Sequence, residues 1–216
     1  MRTVIIKLIL SISLTINVLL VVTLFLQPGI STYDVVAYPV VSERYYYTNS
    51  GEGGYSNNIL WATIPPENDT GQITYINKTF LYGTFTWYGK HTGHPLTGWT
   101  IQGLSDLTSK KYIGFEHLCL DDAFRSITYN KTFPKQQGDS ATYTYFENVQ
   151  IDAWVKYSIT WTSSYATFFI NDVLVANHTS NIPTIPLYFH VHSAASPSFI
   201  SPEEEIGSYA KDVLIT

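Results

Sequence analysis

The stretch Ile159-Thr-Trp-Thr-Ser-Ser-Tyr-Ala-Thr-Phe-Phe-Ile-Asn-Asp-Val-Leu-Val175 decides the fold. Its aromatic and β-branched residues fall in short runs with no 3.6-residue period, and Asn171-Asp172 parts two of them as a tight hairpin turn would. Tyr82-Gly-Thr-Phe-Thr-Trp-Tyr-Gly-Lys90 and Pro186-Leu-Tyr-Phe-His-Val-His192 have the same character. Outward from these, strands are expected at 74–76, 81–88, 98–104, 112–118, 124–129, 141–146, 154–161, 166–170, 173–176, 187–192 and 211–215. Many short strands parted by Pro, Gly, Asn and Asp indicate an all-β sandwich. Trp161 and Phe169 are expected inside it.

Composition agrees. Aromatics make up 15% of the 216 residues and charged residues only 13%, which suits pleated, half-buried surfaces rather than a disordered chain. The formal net charge of −5 and the lack of any Lys/Arg cluster exclude a nucleic-acid footprint. Cys119 is the only cysteine, so no intramolecular disulfide can form and stability must come from the core.

The first residues read as a membrane signal. Arg2 and Lys7 precede an uncharged run from Leu8 to Leu26. As a helix, nineteen residues span roughly 28 Å, close to a bilayer core of about 30 Å. No A-x-A pattern follows at Gln27-Pro28-Gly29-Ile30-Ser31, so an uncleaved anchor is favoured over a cleaved signal. The basic residues place the N-terminus inside and the rest of the chain outside, at a cell surface or viral envelope. The expected layout is an anchor or signal at 1–30, a linker and first strand at 31–54, and the sandwich at 55–216. Four sequons, at Asn68, Asn77, Asn130 and Asn177, fit an exported glycoprotein, with at least one expected exposed on a loop.

The three quoted segments, with Gly98-Trp99 between them and Tyr209–Ile215 after, resemble in order and spacing the family 16 glycoside hydrolases (laminarinases, lichenases) of the concanavalin A-like lectin/glucanase superfamily. Tyr82-Gly83-Thr84-Phe85 corresponds to that family's Tyr-Gly-x-Phe, and Asn171-Asp172-Val173 stands where the family has Asp-Gly. The resemblance implies a jelly-roll β-sandwich and a carbohydrate partner. It also implies a catalytic strand E-x-D-x-E or E-x-D-x-x-E, whose alternate residues share one face of the cleft.

That strand corresponds to Tyr112-Ile-Gly-Phe-Glu-His-Leu-Cys-Leu-Asp-Asp122. With Glu116 as first acid, Leu118 takes the middle position and Asp121 the last. With Glu116 last, the others are Tyr112 and Gly114. A retaining glycosidase needs two carboxyl groups about 5–5.5 Å apart, and the middle Asp helps separate their pKa values. Without it, Glu116 and Asp121 make at best an imperfect catalytic pair. Glu116 otherwise reads as a sugar-hydroxyl acceptor in an inherited cleft, or as a lone strand carboxylate.

His190 and His192 share a face by strand alternation. The resemblance makes them sugar contacts; two polar residues on a half-solvated sheet would serve as well, and metal ligation needs donors that the sequence does not supply. Trp99 is the first choice for a sugar-facing ring. Glu203-Glu204-Glu205 reads as a solvated run, and Lys211 stands where many family members hold calcium with an Asp. No metal and no cofactor are expected. Three functions follow: a non-hydrolytic, membrane-anchored carbohydrate-binding domain, a divergent β-glucan hydrolase using Glu116 and Asp121, or a structural envelope or virion protein. An acid partner for Glu116 would favour the second, an open aromatic groove the first, and a plugged groove the third.

Overall fold

A computed structural model describes residues 33–34, 40–45, 52–65, 71–93, 98–107, 111–118, 123–130, 141–195 and 205–216. Fifteen strands run in chain order: β1 (Tyr33–Asp34), β2 (Val40–Tyr45), β3 (Glu52–Ser56), β4 (Ile59–Ile64), β5 (Gly71–Phe80), β6 (Gly83–Thr92), β7 (Trp99–Ser105), β8 (Lys111–Leu118), β9 (Ala123–Asn130), β10 (Ala141–Phe146), β11 (Val155–Trp161), β12 (Ala166–Ile170), β13 (Val173–His178), β14 (Leu187–Ala194) and β15 (Ile206–Ile215). They form an eight-stranded sheet, β13-β12-β11-β6-β15-β4-β3 with β1 beside β15, and a seven-stranded sheet, β10-β9-β8-β7-β14-β5-β2. Among the described residues every pairing is antiparallel. Within residues 31–54, read from sequence as a linker with a first strand, lie β1, β2 and the start of β3.

Alternation builds the core. In β11, Val155, Tyr157, Ile159 and Trp161 point inward while Lys156, Ser158 and Thr160 lie half-buried on the other side. The facing sheet answers with Leu104, Phe115, Phe189 and Val191. Trp87 is the hub, 5.2 Å from the Phe189 ring centre and 6.1 Å from that of Phe115. Buried aromatics of this kind remove about 150–250 Å² each from water and supply most of the stability that a disulfide-free sandwich needs. Gln102 fastens the two sheets through polar contacts. Its carbonyl accepts from Trp87 Nε1 at 2.7 Å, and its amide donates to the backbone carbonyls of Lys90 and Tyr209 at 2.9 and 3.0 Å.

Trp161 is buried as expected, and its indole N–H donates to the carbonyl of Pro183 at 3.0 Å. Phe169 is not: it is half-buried, and Phe168 is the residue in the core. The inward phase of β12 is Ala166, Phe168 and Ile170, and Phe169 lies opposite the outward Ser158 of β11, so ordinary alternation turns the second ring to the outer side. Residues 171–172 turn between β12 and β13 with φ of 49° and 65°, the pair of left-handed conformations of a type I′ hairpin. The expected helix at 8–26, within the 1–30 segment, lies outside the described residues. Among the described residues no helix is long and apolar enough to cross a membrane.

Candidate functional site

Strand registers assemble the site on the outer face of the seven-stranded sheet. Across that sheet Tyr145 pairs with Arg125, Arg125 with Glu116, Glu116 with Ile101, and Ile101 with His192. Directly opposed residues of antiparallel strands share a face, so one row carries all five. The next row holds Tyr143, Ile127, Gly114, Gly103, His190 and Tyr75, and on the other flank Trp99 pairs with Leu118. The intervening residues, Phe115, Leu104 and Phe189, point into the core. Glu116, Trp99, His190 and His192 therefore stand on one face, across the three adjacent strands β8, β7 and β14 of a sheet that no helix covers among the described residues.

Gly103 and Gly114 face each other in the middle of this surface. Gly103 has φ of +149°, and a Cβ there would collide with the carbonyl of Ile113; a Cβ at Gly114 would lie 2.6 Å from the carbonyl of Gln102. The close approach of β7 and β8 leaves no room for side chains, so the floor is bare backbone between His190 and Glu116.

Glu116 is 5% exposed, and its partner is Arg125. Arg125 Nε donates to Glu116 Oε2 at 2.7 Å, and Nη2 lies 2.6 Å from the same oxygen. Burial pushes the Glu116 carboxyl above its ordinary range, and Arg125 pulls only part of that back. Arg125 is itself enclosed by tyrosine. Its guanidinium sits 4.0 Å from the centre of the Tyr143 ring and 5.6 Å from that of Tyr145, and Nη1 donates to the Tyr145 hydroxyl at 3.0 Å. Tyr112 and Tyr129 pack 5.3 Å apart beside them, and burial with the nearby Glu116 carboxylate holds the Tyr112 hydroxyl protonated. Tyr143 and Tyr145 remain 42% and 61% exposed.

The histidines are enclosed. His190 is 2% and His192 7% exposed, with ring centres 6.5 Å apart. Burial, helped by the neighbouring His192, pushes His190 down to about 3, and burial pushes His192 down to about 4. Both are neutral near pH 7, so they offer one donor and one acceptor each rather than charge. No group of three or more potential metal-binding side chains is gathered among the described residues. Lys211 holds its ammonium 4.4 Å from the centre of the Trp154 ring, and Glu205 accepts from the Tyr209 hydroxyl at 2.7 Å.

Asp121 and Asn68 lie outside the described residues. Asn77 and Asn177 are exposed, but on strands β5 and β13 rather than on loops. Asn77 lies two residues from both Tyr75 and Thr79 and shares the outer face of the seven-stranded sheet with them. Asn130 ends β9 half-buried, its amide donating to the Ile182 carbonyl at 3.2 Å and accepting from Lys111 Nζ at 2.7 Å.

Sequence reasoning missed Arg125, Tyr112, Tyr129, Tyr143 and Tyr145. The alternation Thr142-Tyr143-Thr144-Tyr145 was the available signal, since it puts two rings on one face. Chemically the described face carries aromatic rings, hydroxyls, neutral imidazoles and the Glu116 carboxylate, already bound to an arginine. On β8 the residues two positions either side of Glu116 are Gly114 and Leu118, so that strand gives Glu116 no second acid on this face.

No protein-family model matches the sequence, and no curated protein matches it. Solved structures do. A mixed linkage glucan family 16 protein of Bacteroides ovatus, in complex with its product, superposes with a TM-score of 0.60 at 12% identity over 87% of this chain and 98% of that one. The chain has the concanavalin A-like jelly-roll fold. A Bacillus licheniformis β-glucanase gives a TM-score of 0.56 at 13% identity, covering 82% of this chain and 97% of its own. A carbohydrate binding module from Bacillus subtilis gives 0.52 at 9%, covering 76% and 90%. One jelly roll thus serves both cleaving and binding proteins, and identities of this size speak for the fold alone.

Proposed function

We propose that this jelly roll binds carbohydrate on the outer face of its seven-stranded sheet and does not cleave it. In this reading the domain is extracytoplasmic, glycosylated and held at a membrane by residues 1–30. The observation that carries the reading is the environment of Glu116. Its carboxylate is engaged by Arg125, and Arg125 in turn holds Tyr143 and Tyr145 as exposed rings beside it. Sugar rings stack their C–H faces on such aromatics, while hydroxyls pair with the phenols around them. A carboxylate spent on an arginine, with glycine and leucine in the neighbouring face positions, is a poor start for the two-carboxyl chemistry of a glycosidase. The superposed proteins include ones described with glucan and laminari-oligosaccharide ligands, which points the search toward β-linked glucans.

Titration of the full chain with laminaritetraose tests this. Tyr143→Ala and Tyr145→Ala should each weaken binding about fivefold, or about 1 kcal/mol. Release of reducing ends that Glu116→Gln abolishes would establish the hydrolase instead. A second, structural reading draws on the enclosure of Glu116, His190 and His192, since a face already covered offers a ligand little. Failure to bind across a broad glycan panel, with stable folding of the tyrosine variants, would favour it. Carbonate extraction of membranes from the native host tests the anchor: the full-length chain should stay in the pellet.

A further inference from the structure

The chain crosses from the seven-stranded to the eight-stranded sheet through residues 147–154, between β10 and β11. Beside this crossing lies a recess of about 780 Å³, open to solvent and walled by the ends of β10, β12 and β13. Its volume is within the ~300–1,000 Å³ typical of small-molecule sites. Val155 and the partly buried Phe146, Val149, Ile170 and Val175, all part of or packed against the main core, give it an apolar floor. The rim is polar: Glu147, Asn148 and Gln150 line it.

The rim groups differ in how far they are committed. Asn171 also lines the recess, but its side-chain carbonyl accepts from the backbone N–H of Lys156 at 3.2 Å. Among the described residues no hydrogen bond engages the side chains of Glu147, Asn148 or Gln150. An apolar floor that includes Phe146, two free amides and a free carboxylate match the two-sided chemistry of a pyranose, which has C–H faces and a belt of hydroxyls.

We propose that this recess is a second saccharide site, at the β10–β13 edge of the sandwich and distinct from the outer face. It selects neutral over acidic sugars, because the Glu147 carboxylate on the rim repels a uronate or sialate and no Lys or Arg lines the recess to offset it. The proposal rests on the preceding reading only in taking carbohydrate as the ligand class.

The test uses the full chain and neutral tetrasaccharides (laminaritetraose, cellotetraose, chitotetraose), with hyaluronan tetrasaccharide as the acidic counterpart. Val149→Trp fills the recess, and the Asn148→Gly/Gln150→Ala pair strips the rim amides without touching the core, glycine keeping the left-handed backbone of position 148 (φ 61°). For at least one neutral probe, both changes should weaken binding at least tenfold with the melting temperature of the rim variant unchanged. Glu147→Gln should let the hyaluronan fragment bind where the parent does not. Recess variants that bind as the parent does, while Tyr143→Ala weakens binding, would overturn this proposal and leave the outer-face reading standing. Loss in the recess variants with Tyr143→Ala unchanged would do the reverse. No binding by any neutral probe would overturn both.

Discussion

Replacing Arg125 by Met should destabilise the protein by about 3–5 kcal/mol at pH 7, the usual cost of leaving one member of a buried ion pair alone. Both guanidinium contacts converge on a single oxygen of Glu116, a residue only 5% exposed, so no water shell stands ready to replace them. The loss should depend on pH in a defined direction. The folded Glu116 carboxyl is already raised by burial, and losing Arg125 raises it further. A carboxyl whose folded pKa lies above its unfolded one costs stability as pH rises through that interval, so the deficit should be full at neutral pH and shrink toward pH 4.5. Adding Glu116→Gln to Arg125→Met should recover a large part of it, because a neutral amide needs no counter-charge. Urea unfolding of parent, both single variants and the double variant, at pH 7 and pH 5, gives the coupling directly. A deficit under about 1 kcal/mol, equal at both pH values, would refute the idea that Glu116 is a buried carboxylate committed to Arg125.

Three other outcomes follow from the geometry. Stability should be highest above about pH 6.5 and fall toward pH 4, because His190 (down to about 3), His192 and His178 (each down to about 4) are buried neutral and would have to charge on unfolding; denaturant midpoints across that range check it. Gln102→Leu should cost about 2–4 kcal/mol by orphaning the Trp87 N–H and the carbonyls of Lys90 and Tyr209, read as a drop in urea midpoint with an unchanged slope. Glycan in the native host should sit on Asn77 or Asn177, both exposed, before Asn130, whose amide is tied on both sides; site-resolved mass spectrometry decides the order.

Strand positions were legible because they depend on local pattern. The expected 141–146 and 166–170 coincide with β10 and β12, and the Asn171-Asp172 turn is where the sequence puts it. The Tyr-Gly-x-Phe signature also has a physical basis: at Gly83 (φ +128°) a Cβ would lie 2.8 Å from the Thr216 carbonyl, which accepts from the Thr84 N–H. What failed depends on register. Phe169 is out of phase by one residue because β12 sets Phe168, not Phe169, opposite the inward Ile159 of β11, and two adjacent phenylalanines do not reveal that phase. Arg125 could not be joined to Glu116 from sequence, since nothing local tells which residue of β9 lies opposite which of β8. The burial of His190 and His192 is likewise a property of the assembled sheet rather than of the Leu187–His192 pattern.

The central claim is that the tyrosine-bearing outer face holds sugar intact. Ring carbon–proton spectra of the full chain, labelled at tyrosine and titrated with laminaritetraose and cellotetraose, test it most directly. The account predicts that the resonances of Tyr143, Tyr145 and Tyr112 shift saturably while the tetrasaccharide stays whole over the titration. Unmoved tyrosine rings, or conversion of the sugar to shorter products, would contradict it.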